Sequence, residues 1–153
     1  QHRLLHPQSQ QVPEGEWIVP LGQADVKREG TDLTLVAYSW ALTKALQAAE
    51  ALADEISVEV VDPRTLVPLD VDTIAASATK TGRLLVAHEA PERGGAGAEI
   101  VRRVAERFVP LQAPATVLGA KPVAMPYSPP LEDHVLPQVE DIMAAVRRLM
   151  AYR

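Results

Sequence analysis

Apolar positions along this chain follow two alternating periods. Leu33–Tyr38, Val58–Val61 and Leu84–Ala87 are short, almost unbroken apolar runs, the pattern of strands buried on both faces. Between them the spacing changes to threes and fours. Leu42, Ala45, Leu46, Ala49, Leu52 and Ala53 predict a helix over 40–53, and Ile100, Val101, Val104 and Phe108 predict one from Ala98 to about Phe108. Val139, Ile142, Met143, Val146 and Leu149 mark a last helix, with Pro137 suited to its first position and Met150 near its end. A shorter helix, capped by Asp70 or Asp72, is expected to run through about Thr79. Ala115–Leu118 reads as a further strand, and the charged, weakly alternating 24–29 stretch as an edge strand. Strands alternating with helices imply a three-layer α/β/α sandwich around a mainly parallel sheet.

Punctuation divides the rest. Residues 1–22 hold Pro7, Pro13, Gly15, Pro20 and Gly22 and read as a linker or extended arm, leaving 23–153 as the domain. Trp17, Ile18 and Val19 offer a way to dock that arm. Leu66–Leu69 is expected to be a packed connector, and Lys121–Pro130 an ordered, proline-rich surface segment. The start at Gln1-His2-Arg3 reads as a cut inside a longer chain.

Bulk properties narrow the function. With 153 residues and 47% hydrophobic content the chain can bury one sizeable core. A net charge of -5 gives no electrostatic support for binding nucleic acid or an anionic membrane. No apolar run approaches the roughly 20 residues of a membrane span. The absence of cysteine excludes disulfides, thiolate metal sites and a cysteine nucleophile, and fits an intracellular setting.

Three places invite chemistry. Gly94-Gly95-Ala96-Gly97, between a strand and a helix, has the setting of a dinucleotide loop. However, Ile100 takes the third glycine's place, and no acidic residue ends the next strand. A sharp turn with close helix packing explains the glycines better. Ser39 lies at a strand-to-helix turn, the nucleophile-elbow position, with Asp62 or Asp70 and then His88 or His134 following in hydrolase order. Tyr38 and Trp40 crowd that turn, and Ser39 reads more simply as a helix cap. His88 and Glu89 are neighbours on a strand, so they face opposite ways and do not converge on one atom. A hydrogen-bonded or interface histidine fits better. The four histidines lack metal-ligand spacing, and His2 and His6 share only an arm.

Three stretches, taken in order, carry a resemblance. Glu59–Asp70 (EVVDPRTLVPLD) resembles the strand–connector signature of transketolase C-terminal domains. His88-Glu89-Ala90 with Gly94–Ile100 resembles the glycine corner of the β subunit of 2-oxoacid dehydrogenase E1 components. Pro126–Glu132 with Leu136-Pro137 resembles that subunit's closing segment. The match covers about Val12 to Met150. Transketolase and deoxyxylulose-phosphate synthase share the first stretch but fit Ser128–Glu132 poorly. The corner leans to branched-chain and the closing segment to pyruvate-type subunits, which leaves the 2-oxoacid open.

The resemblance implies a five-stranded sheet whose first strand is antiparallel. It implies a parent oxidoreductase that uses thiamine diphosphate and Mg, held outside this domain, with no catalytic, cofactor-binding or metal residue here. Implied partners are an N-terminal domain of the same β subunit, the E1 α subunit, a second β subunit and the E2 acyltransferase. Implied settings are bacterial cytoplasm or mitochondrial matrix. The contact residues it suggests are His88, Glu89, Glu132, Asp133, Glu140 and Asp141. Acidic groups there suit a basic E2 domain, although Glu140 and Asp141 equally suit the start of a helix.

Overall fold

A computed structural model describes Ser9, Gln11 and residues 14–152. Five strands are found: β1 (Asp25–Arg28), β2 (Leu33–Ala37), β3 (Val58–Asp62), β4 (Leu84–Pro91) and β5 (Thr116–Ala120). Five helices accompany them: α1 (Trp40–Ala51), α2 (Val71–Thr81), α3 (Ala96–Ala105), α4 (Pro129–Val135) and α5 (Val139–Met150). The sheet order is β1-β3-β2-β4-β5. β1 runs antiparallel to β3, with Asp25 opposite Asp62, and the other pairs are parallel. This is the expected three-layer sandwich with one antiparallel edge.

Strand alternation divides the core. Leu33, Leu35 and Ala37 of β2, with Val58, Val60, Leu85 and Ala87, face α1 and α5, where Ala45, Ala48, Ile142 and Val146 meet them. Val36, Val61, Leu84 and Val86 face α2 and α3, meeting Ile74, Ala78, Ile100 and Val104. Both faces of the three middle strands are covered, so their sequences are apolar without alternation. On the α2 face a polar network is closed inside the apolar layer. Thr34 is 2.8 Å from both Ser77 and Thr81. The buried Glu59 carboxylate accepts from the Gly30 amide, the Ser77 hydroxyl and the Lys80 ammonium. Such a charge is tolerated because every oxygen has a donor.

Several boundaries differ from the sequence reading. α1 stops at Ala51, so Ala53 lies exposed beyond it. α3 starts at Ala96 and ends at Ala105, because the chain turns into a left-handed conformation at Phe108 (φ 52°). Phe108 therefore leaves the inward face and is 93% exposed. The proline-rich segment contains α4, which Pro129 and Pro130 open; prolines cost nothing in a first turn whose amides lack partners. α5 does not start on Pro137. Gln138 precedes it and forms a reciprocal cap with Asp141. The connector 66–69 is packed only at its end: Leu69 joins the core on the α2 and α3 face, whereas Leu66 and Val67 are exposed. Trp17, Ile18 and Val19 are exposed too, so they do not dock the arm onto the described domain. His2 and His6 lie outside the described residues. Among the described residues, no helix is long and apolar enough to cross a membrane.

Candidate interface at the carboxyl edge of the sheet

The parallel strands all point to one rim. Because Asp25 pairs with Asp62, the antiparallel β1 begins at that same rim, so the arm 14–24 arrives there too. Gly22 fixes the arm by donating its amide to Thr65 Oγ1 (2.9 Å), and the Ala24 amide donates to Asp70 (2.9 Å). The Tyr38–Ser39 turn, the 63–70 connector, the glycine corner and the 121–128 segment leave the other four strands at the rim.

His88 sits directly beneath the corner. It is fully buried, and its ring stacks on Tyr38 with centroids 6.0 Å apart. Neither ring nitrogen has a protein partner in hydrogen-bond geometry. Burial pushes its pKa below the ordinary 6.5, against the pull of the Ala90 main chain and Glu92, so the ring is neutral at pH 7. A Cβ added to Gly97 would lie 2.4 Å from His88 Nε2, and one on Gly95 would lie 2.7 Å from Cε1. The glycines therefore let α3 start on top of an imidazole. Of the six suggested contact residues, His88 has no surface of its own; it shapes the corner from behind.

The hydrolase arrangement is not assembled. Ser39 does occupy the strained turn of an elbow (φ 58°, ψ -139°), but His88 makes no hydrogen bond to it. Asp62 accepts from the Arg64 amide, Asp70 caps α2 through Thr73, and His134 on α4 lies 2.9 Å from Lys121 Nζ. Nor does the Ser39 hydroxyl cap α1; it stands at the cap position without a side-chain hydrogen bond.

Four of the acidic candidates act electrostatically on one residue that the sequence reading passed over. Lys44 on α1 is only 9% exposed. Its ammonium donates to Pro137 O (3.2 Å) and Gln138 Oε1 (2.6 Å), which ties α1 to the α4–α5 junction. Burial pushes the Lys44 pKa down, while the fields of Asp133, Glu89, Asp141 and Glu140 pull it up. A lysine inside an otherwise apolar helical stripe was the available signal. Glu132 lies on α4 just before this group.

The rim is also where apolar surface is left uncovered. Among the described residues, ten of the twelve exposed large apolar side chains belong to segments at this edge. Trp17, Ile18, Val19 and Leu21 are on the arm, Leu66 and Val67 on the connector, and Val123, Met125, Tyr127 and Leu131 after β5. Tyr127 is 99% exposed. A patch of this kind is the mark of a contact face, and tyrosine and tryptophan are typical anchors in one. Chemical groups are sparse by comparison. Among the described residues, no three His, Asp or Glu side chains could hold a metal ion.

Comparison with known proteins places the chain in a family. The chain is 42% identical to the pyruvate dehydrogenase E1 component subunit beta of Bacillus subtilis over 98% of its length, which is 46% of that protein. It is 40% identical to the acetoin:2,6-dichlorophenolindophenol oxidoreductase subunit beta of Cupriavidus necator, over 98% of this chain and 45% of that one. It is 43% identical to a mitochondrial pyruvate dehydrogenase E1 subunit beta-2 of rice (Oryza sativa subsp. japonica), over 93% and 38% of the two chains. The chain thus spans less than half the length of these relatives. Among solved structures, a split gene transketolase, an inactive β4 tetramer, matches at 30% identity and a TM-score of 0.76, over 88% of this chain and 44% of that one. The transketolase of Leishmania mexicana, at 20% identity and a TM-score of 0.61 over 85% and 18% of the two chains, shares the fold. The family model for the transketolase C-terminal domain matches residues 22–142. With its five-stranded sheet, glycine corner and connector in place, this chain belongs to the transketolase C-terminal domain family.

Proposed function

We propose that this chain is the C-terminal domain of a β subunit of the 2-oxoacid dehydrogenase E1 type, and that its task is assembly and docking rather than chemistry. The observation that carries this reading is the rim. Its apolar side chains stand uncovered around a corner built from glycines and a neutral histidine, and this chain matches less than half of each β subunit it resembles. The remainder of such a β subunit, joined through the arm 1–22, covers the rim together with the α subunit. A second β subunit and the E2 acyltransferase complete the partners. In this reading Glu89, Glu132, Asp133, Glu140 and Asp141 form an acidic face for a basic E2 domain, with Lys44 beneath it. The setting is bacterial cytoplasm or mitochondrial matrix.

The parent reaction is thiamine-diphosphate-dependent oxidative decarboxylation of a 2-oxoacid. The similarity to an acetoin oxidoreductase subunit keeps the substrate class open. The residues of this chain do not fit the cofactor. A diphosphate with Mg needs carboxylate ligands and an open cradle, yet the described residues offer no three-ligand group, and the α3 start is filled by His88. In this reading the cofactor is held by the other domain and the α subunit. A second reading, the matching domain of a transketolase, is favoured by the 30%-identical split transketolase.

Calorimetry tests the proposal. Thiamine diphosphate with Mg should bind the full β chain assembled with its α subunit and should give no heat with residues 14–152 alone. Binding to the isolated domain would overturn it. Assays of the assembled enzyme on pyruvate and on a ketose phosphate separate the two readings.

A further inference from the structure

The arm enters the sheet through three polar ties to the connector. The Gly22 amide donates to Thr65 Oγ1 (2.9 Å), the Ala24 amide donates to Asp70 Oδ2 (2.9 Å), and the Arg64 guanidinium donates to Asp25 Oδ2 (2.8 Å). The first two lie ahead of β1, so the arm is already held before the sheet begins. The Thr65 hydroxyl is itself aimed: it donates to Pro68 O (2.6 Å), which leaves a lone pair for Gly22. Gly22 has φ 73°, and a Cβ there would lie 2.9 Å from Pro68 Cγ, so the arm runs directly against the connector.

A linker that only tethers two domains needs no fixed course. Arg64 shows that this course is maintained at a cost. Its backbone is held at φ 55°, a region that favours glycine. Its ion pair does not account for that strain. Lys27 Nζ lies 2.6 Å from the same Asp25 oxygen, and all three groups are partly exposed, where such pairs contribute little. What Arg64 does fix is place. Its amide donates to Asp62 Oδ1 (2.9 Å) while its side chain reaches the first residue of β1. Leu21 and Val67, the chain neighbours of the touching Gly22 and Pro68, are 75% and 91% exposed.

We propose that Arg64 and Thr65 are positioning residues. They clasp the arm to the connector so that it leaves the domain in one direction, and this sets the rest of the chain in register on the rim, over Leu21 and Val67. The proposal rests on the reading above, that the remainder of a β subunit covers the rim, and names the residues that orient it.

The test uses the full-length β chain, with its binding to the α subunit followed by sedimentation and its melting temperature recorded alongside. Thr65→Val keeps the shape of the side chain and removes the hydroxyl, whereas Thr65→Ser keeps the hydroxyl. Arg64→Gly removes the guanidinium and relieves the positive φ. We expect Thr65→Val and Arg64→Gly to raise the dissociation constant for the α subunit at least about fivefold, with Thr65→Ser within about twofold of wild type. Arg64→Gly should melt at or above the wild-type temperature, so its weaker assembly does not come from a weaker fold. Wild-type affinity in both Thr65→Val and Arg64→Gly would overturn the clasp and leave the reading of the rim intact. A loss confined to Thr65→Val and matched by a lower melting temperature would make Thr65 merely structural and overturn the clasp as well. A wild-type β chain that binds no α subunit would overturn the reading of the rim, and the clasp with it.

Discussion

Gly97→Ala isolates the contact on which the glycine corner depends. In a helix, alanine is ordinarily preferred over glycine by up to about 1 kcal/mol. Here the added Cβ would lie 2.4 Å from His88 Nε2, 2.6 Å from Cδ2 and 2.7 Å from Val117 Cγ1. Ordinary contacts are 3.4 Å or more, so neighbours must retreat by about 1 Å. His88 has little room to do so, since it is fully buried and stacked on Tyr38. Overpacking of this size costs about 1–3 kcal/mol, which outweighs the propensity gain. We expect urea unfolding at pH 7 to show a net loss of about 1–2 kcal/mol. In the double variant with His88→Ala the clash with the ring is gone and only Val117 Cγ1 still crowds the added methyl, so the two losses should fall short of additivity by about 1 kcal/mol. A Gly97→Ala protein as stable as wild type, or a strictly additive pair, would refute the packing account of the corner.

Three further outcomes are expected. Ser39→Gly should raise stability by about 1 kcal/mol in chemical denaturation, because φ 58° suits glycine and the serine hydroxyl makes no cap bond that would be lost. His88 has a folded pKa below 6.5, so the unfolded chain binds more protons as pH falls through that value, and stability declines with it. Melting curves from pH 8 to 5 should show this acid limb in wild type and a shallower one in His88→Phe. For Asp70, burial raises the pKa, but the Ala24 amide and the Thr73 hydroxyl and amide outweigh it and hold the folded value below 3.8. Its stabilisation is therefore complete above pH 3.8 and lost as pH drops through the folded value. Asp70→Ala should cost about 2 kcal/mol at pH 7, through a lost helix cap and an unpaired arm amide, and the difference should shrink below pH 4.

The sheet was legible in the sequence because β2, β3 and β4 are buried on both faces, and an unbroken apolar run as short as LTLVA suits a doubly covered strand better than a helix. The charged DVKR stretch likewise matched an exposed edge. Local punctuation was harder. Pro129-Pro130 reads as a breaker but opens α4, since proline is excluded from a helix interior and not from its first turn. Phe108 falls on the α3 stripe by spacing, yet a single left-handed residue places it in solvent, and nothing in the periodicity encodes that turn. Leu66 and Val67 look like core residues by composition, yet they are exposed, because the connector crosses the rim outside both helical layers. The site was half legible. The corner, with His88 and Glu89, could be read from its glycines, and Asp133, Glu140 and Asp141 from their place near the chain's end. Lys44 stood out as a lysine in an apolar helical stripe, but its partners, a carbonyl and an amide about ninety residues away, could not be read, and the field of the four carboxylates on it arises only after folding.

The central claim is that the carboxyl rim is a covered face in the working protein. Hydrogen exchange measures this directly, comparing residues 14–152 alone with the full β chain assembled with its α subunit. The account predicts that the amides of Trp17–Val19, Leu21, Leu66, Val67, Val123, Met125, Tyr127 and Leu131 exchange at least tenfold more slowly in the assembly, while the β2 and β4 amides barely change. Equal exchange at those rim positions in the two samples would contradict it.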